Sequence, residues 1–287
     1  MSHLVAYVGN EPEHLACALV SARAALAAPA APGRGGWGLG FVQGGEVLLQ
    51  KRPRAEGANI DFFTLAKNLK ADAFIARGGV SDEIPVSAED TDPFRFRWWL
   101  MGSVGHPEGL DKIRDKVLTS VPDFLRRNIR GRSPGELFFH LFLAFLHDAG
   151  VLELQLLNPE PVARALRESS AFVDRLLVDA GAPPAPMPLV VTNGRCLVAR
   201  SAGFQIQFLS TIGINDCTVC RQDHHALHAT GDGRRFAHES LRAVVLEADP
   251  TSPARPGWTQ VPAGSTLMVD PERPAVIVPA PPPPEAA

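Results

Sequence analysis

The sequence predicts an α+β fold with largely antiparallel sheets and two helix layers. Strand-like runs crowd the first hundred or so residues and return in the last third, with helical patterns between them, an order that disfavours a βαβ parallel sheet. Consecutive strand candidates are joined by tight-turn signals, Gly44-Gly45 and Asn193-Gly194. The middle of the chain holds a helix that is apolar on nearly every side, as a central buried helix must be. With 287 residues, 45% of them hydrophobic and 21% charged, the chain can bury a large core without staples.

The elements follow in order. An apolar, β-prone run at 3–8 opens the chain, and a helix rich in Ala and Leu is expected over about 13–28, closed by Pro29 and Pro32. A glycine-rich turn at 33–40 leads into a strand at 38–42, and Gly44-Gly45 turns it into a second at 47–51. This turn lacks the Lys-Ser/Thr of a nucleotide loop and runs into a strand, so it is no phosphate cradle. A short helix over 61–70, a buried strand at 73–77, a polar loop at 81–93 and one strand across 94–101 come next. Helices are expected at 108–119 and again after Pro122.

The best-signalled helix begins at Ser133-Pro134-Gly135-Glu136, a capping box with Ser133 as N-cap, Pro134 at N1 and Glu136 at N3. Residues 137–146 are almost all apolar, and Gly150 ends the helix. Asn158-Pro159 starts another that runs to Gly181. His140 and His147 share a helix face and read as core histidines rather than a ligand pair. Strands are expected at 188–193, 195–200, 204–209, 242–247 and 266–270, and the stretch 217–238 reads as a loop between two of them. Residues 276–287 are a Pro-rich tail.

Several function classes are excluded. A net charge of −3 gives no electrostatic case for nucleic acid or an anionic membrane. No apolar run approaches the ~18 residues that a membrane span needs. Residues 15–31 have the apolar character of a signal segment, but Arg23 interrupts them and Glu11 and Glu13 precede them. Four cysteines, two in one Cys-x-x-Cys, suit a reducing compartment, and the expectation is a cytoplasmic protein without a leader.

Five landmarks, taken together and in order, resemble the class II glutamine amidotransferases, whose nucleophile is the N-terminal residue (the Ntn type). The terminal run Ser2-His3-Leu4-Val5-Ala6-Tyr7-Val8-Gly9 is similar to the family's Cys-Arg-Leu start. Gly36-Trp37-Gly38-Leu39-Gly40 resembles its Gly-Trp-Gly strand, and Phe74-Ile75-Ala76-Arg77 its strand carrying His-x-Arg. Asp92-Pro93-Phe94 with Trp98-Trp99-Leu100 resembles His-Pro-Phe and the strand before His-Asn-Gly, and residues 131–138 a Thr-Asp-Ser-Glu helix start. The small stand-alone members related to the ergothioneine-pathway amidohydrolase are the most similar branch. The resemblance covers residues 1–275 and implies a four-layer αββα Ntn-hydrolase-like sandwich of mainly antiparallel sheets.

The resemblance also implies a site. After removal of Met1, residue 2 attacks an amide while its own α-amine, titrating near pH ~7.7–8.0, takes the proton. Here that residue is Ser2 in place of cysteine. The oxyanion positions His-Asn-Gly fall on Gly102, Ser103 and Val104, and one lost donor typically costs ~100–1000-fold in rate. Arg77 keeps the place of the carboxylate-binding arginine, with Ser103 beside it as a substrate-binding candidate. The preceding histidine is Ile75, and the acidic residue that binds the substrate amine falls on Pro134. The expected function is therefore a degenerate amidotransferase-like protein that binds a protein partner or a small amide or amino-acid-like ligand. The alternatives are a working Ntn amidohydrolase using Ser2 on a non-glutamine amide, and a zinc-stabilised interaction module. No cofactor is expected, with zinc as the one alternative to a polar loop whose cysteines pack beneath it. Cys217-Thr218-Val219-Cys220 has ligand spacing, with His224 and His228 as partners and His225 and His238 as substitutes.

Overall fold

A computed structural model describes residues 2–29, 36–54, 59–79, 87–155, 157–227 and 236–280, with side chains of 28, 29 and 223–227 left aside. Strand β1 (Ser2–Gly9) leads through a 3-10 turn (Pro12–His14) into helix α1 (Leu15–Leu19) and a second 3-10 stretch (Val20–Ala25). Then come β2 (Ala27–Pro29), the hairpin β3 (Gly36–Gln43) and β4 (Glu46–Arg52), β5 (Asn59–Asp61), α2 (Phe62–Ala66) and β6 (Ala73–Gly79). Strands β7 (Phe94–Phe96) and β8 (Trp99–Ser103) precede helices α3 (Leu110–Thr119), α4 (Asp123–Arg126), α5 (Pro134–Asp148) and α6 (Pro159–Asp179). The chain closes with β9 (Leu189–Thr192), β10 (Leu197–Arg200), β11 (Ile206–Ile214), α7 (Thr218–Leu227), β12 (His238–Ala248), β13 (Thr259–Val261), β14 (Thr266–Val269) and β15 (Val276–Val278).

These elements stack in four layers. A seven-stranded sheet, β13-β11-β12-β1-β6-β3-β4, packs on a six-stranded sheet, β15-β14-β10-β9-β8-β7; β2 and β5 form a separate ribbon. The strand pairs are antiparallel, including β1 with both β6 and β12. The alternation of β1 assigns its two faces. Leu4, Ala6 and Val8 join Ile75, Leu100, Val190 and Leu197 in the core between the sheets. Val5 and Tyr7 pack with Leu15, Leu19, Phe62 and Phe74 beneath the first helix layer. Helices α3–α6 cover the outer face of the second sheet, with Trp99, Phe139, Phe142 and Val191 in their core. The result is the expected αββα sandwich. Among the described residues no helix is long and apolar enough to cross a membrane.

Four local expectations are corrected. The helix expected over 13–28 is broken, because its last turn is given up to β2, which pairs with β5, and Phe62 donates its N–H to Leu26 O at 2.8 Å. The strand expected across 94–101 is a hairpin. Phe96 pairs with Trp99, and Arg97 turns the chain at φ 53°, a left-handed conformation that no turn-forming residue announces. The stretch 217–238, read as loop, contains α7, whose first turn is closed by Arg221 N–H on Cys217 O. Residues 276–278, placed in the Pro-rich tail, form β15 on the edge of the second sheet, paired with β14.

Candidate functional site

By the alternation of β1, Ser2 lies on the face turned to the second sheet. On β6 the register pairs Leu4 with Arg77 and Ser2 with Gly79, so Arg77 reaches along the same face. Its Nη2 donates to Ser2 Oγ at 2.8 Å. The Nε–H of Arg77 is buried and has no hydrogen-bond partner among the described residues. Thus the structure brings together two of the residues expected to meet, Ser2 and Arg77.

The second sheet supplies the opposite wall. Ser103, the last residue of β8, is buried, and both its N–H and its hydroxyl donate to Asp92 Oδ1, at 2.7 and 2.8 Å. Burial pushes the Asp92 carboxyl above its ordinary range, while the Arg77 guanidinium and the two Ser103 bonds pull back in part. The neighbouring N–H of Val104 donates to Pro188 O at 3.1 Å. Glycines make room for this wall. A Cβ on Gly38 would overlap the Asp92 carbonyl, one on Gly40 would sit 2.9 Å from Pro93 Cγ, and one on Gly135 would strike Ser103 Oγ and approach Phe94 at 2.9 Å. The Gly-Trp-Gly strand is therefore a seat for Asp92-Pro93.

Helix α5 closes the site from below. Ser133 Oγ accepts from Glu136 N–H at 3.1 Å, the N-cap bond expected, and Pro134 is buried at N1. The return half of the capping box is absent. Ser133 N–H donates instead to Asp90 Oδ1 at 2.9 Å, and the Glu136 carboxylate accepts from Arg130 and Gly131 N–H at 3.0 and 2.7 Å. A carboxylate from the 87–92 loop has displaced the glutamate from its usual donor. Lys51 on β4 was not foreseen. Its Nζ donates to Ala88 O at 3.1 Å and lies 4.9 Å from the Phe94 ring centre. Burial lowers its pKa, against the pull of Asp92 and Glu136.

A second cluster lies toward the opposite end of β1. The thiols of Cys17, Cys217 and Cys220 and a ring nitrogen of His238 all fall within 4.8 Å of one another. Cys217 and Cys220, the sequence-predicted pair, are both present. His228 lies outside the described residues, and nothing is described of the His224 side chain. Cys17, on α1, is the member that the sequence reading missed, being 203 residues from Cys220. Burial raises its pKa, reinforced by the other two thiols.

No family model and no curated protein matches the sequence. Solved structures do. A glutamine aminotransferase class-II domain protein from Silicibacter pomeroyi superposes with a TM-score of 0.56 at 14% identity, covering 98% of this chain and 100% of that one. A predicted glutamine amidotransferase from Pseudomonas aeruginosa PA01 gives 0.57 at 12% identity over 94% and 98%. The fold is that of the class II glutamine amidotransferases. An allosteric regulatory enzyme of purine biosynthesis is also similar, at 0.52 and 11% identity, this chain spanning 48% of its length. In this chain the start of β1 and the end of β6 carry Ser2 and Arg77, which are hydrogen-bonded, and the Asp92 carboxyl that holds Ser103 feels the Arg77 charge.

Proposed function

We propose that this protein is a catalytically silent form of the amidotransferase fold that binds a small carboxylate-bearing amide or amino-acid-like ligand at Ser2 and Arg77. The observation that carries this reading is the fate of the two oxyanion candidates. Ser103 spends its N–H and hydroxyl on Asp92, and the Val104 N–H is spent on Pro188. Neither donor is left for a developing oxyanion, and that term is usually worth ~100–1000-fold in rate. Ser2 lacks a thiol and is held by a guanidinium, which donates to the hydroxyl and takes no proton from it. Arg77 retains binding capacity, since its Nε–H is unspent and guanidinium suits carboxylates.

Ligand binding and hydrolysis are separable. Calorimetric titration with L-glutamine, L-glutamate and N-acyl amino acids is expected to show binding that Arg77→Ala abolishes, with no ammonia or amine release above a Ser2→Ala control. Hydrolysis that disappears in Ser2→Ala, in protein whose intact mass shows Met1 removed and the amine unblocked, overturns the proposal in favour of a working Ntn amidohydrolase.

A further inference from the structure

We infer that Cys17, Cys217, Cys220 and His238 form a closed structural zinc site, independent of the Ser2 site. The cluster has the dimensions of a ligand tetrahedron. Zn–S bonds of ~2.3 Å and Zn–N bonds of ~2.0–2.1 Å set sulfur–sulfur edges of about 3.8 Å and sulfur–nitrogen edges of about 3.5 Å. Cys17 Sγ and Cys220 Sγ are 3.6 Å apart, and Cys220 Sγ is 3.4 Å from His238 Nε2. The remaining pairs fall within 4.8 Å.

The ligands come from separate elements, as in a clamp. Cys17 lies on α1, Cys217 immediately before α7, Cys220 in its first turn, and His238 at the first residue of β12. Cys217 N–H donates to Phe236 O at 2.7 Å, which fixes the chain on both sides of the pair. One ring packs against the histidine. The His14 ring lies 3.9 Å from the His238 ring, centre to centre, and His14 Nδ1 is 2.7 Å from Glu11 Oε2. Glu11 in turn accepts from Ser240 Oγ at 2.5 Å. Three soft thiolates and an imidazole select zinc over magnesium or calcium. Four protein ligands leave no open position, so the ion ties α1 and α7 to β12 and activates no water.

The test is metal analysis of the full chain, purified without chelator or added metal. About one zinc per chain is expected, falling below about a fifth in both Cys17→Ser and His238→Ala, while a surface substitution such as Glu168→Gln retains it. Cobalt substitution of the wild-type protein is expected to give tetrahedral d–d bands with thiolate charge transfer, and Cys17→Ser to weaken the latter. Should the variants not fold, a mercurial titration of the wild-type protein replaces them, with zinc release tracking thiol modification. Zinc well below one per chain, iron in its place, or a disulfide between any two of the three cysteines would overturn the inference. So would a Cys17→Ser protein that keeps its zinc, since that returns the site to the ligands expected from sequence alone.

Discussion

Asp92 is the residue on which the candidate site turns, and replacing it gives a worked test. It is buried and holds both donors of Ser103. In Asp92→Ala the Ser103 N–H stays buried without a partner, at a cost of ~1–3 kcal/mol, and the hydroxyl and the Arg77 counter-charge add to it. About 3–4 kcal/mol is expected, which for a chain of this length is a fall in Tm of about 5–7 °C. Asp92→Asn keeps an acceptor oxygen and the shape, so it is expected to cost only ~1 kcal/mol near neutral pH. The two variants also differ in pH dependence. Burial raises the folded-state pKa of Asp92, so its ionisation costs the folded chain more than the unfolded one. That penalty is absent below about pH 4 and grows as pH rises through the raised value. Asp92→Asn cannot ionise, so the wild-type advantage over it narrows from about pH 4 toward neutrality. Thermal melts across that range measure this. Asp92→Ala melting within about 1 °C of wild type, or a wild-type advantage over Asp92→Asn that widens with pH, would refute the assignment.

Two further predictions concern the network beside His3. Glu247 is 1% exposed and takes two 2.6 Å bonds from Arg255, so Arg255→Ala leaves a buried carboxylate without its counter-charge, held by the 2.8 Å bond from Gln207 Nε2, and is expected to cost about 3 kcal/mol in urea denaturation. Asp249, 12% exposed, is pushed up by burial, but its bonds from His3 and Thr251 outweigh that and bring it to about 2. A depressed carboxylate stabilises above its unfolded pKa of about 4, a contribution of about 2 kcal/mol lost as pH falls through about 2. An acid-unfolding profile of Asp249→Asn should lack that step.

The layers and the start of α5 were legible because their signals are local. Ser133-Pro134 caps a helix whatever surrounds it, and alternation assigns the faces of β1. What escaped depends on distant partners. Glu136 reads as half of a capping box until Asp90, 43 residues from Ser133, takes the N–H that the glutamate was to bind. The glycines of 36–40 announce a strand but not the reason for their size, which is Asp92-Pro93 pressed against them from the other sheet. The turn at Arg97 had no glycine or asparagine to mark it. Cys17 sits in an Ala- and Leu-rich stretch with no ligand spacing of its own, and only the fold carries it to Cys217 and Cys220.

The position of β1 has a consequence for how the chain is made. One of its edges pairs with β6, residues 73–79, and the other with β12, residues 238–248. During synthesis the first edge can be satisfied early. The second stays open, with every Leu4–Gly9 partner still unmade, until the ribosome has added more than two hundred residues. So wide a separation slows folding and leaves an apolar strand available for wrong pairings meanwhile. A nascent chain stopped before residue 238 would thus present a sheet split along its middle, with β1 as the bare edge.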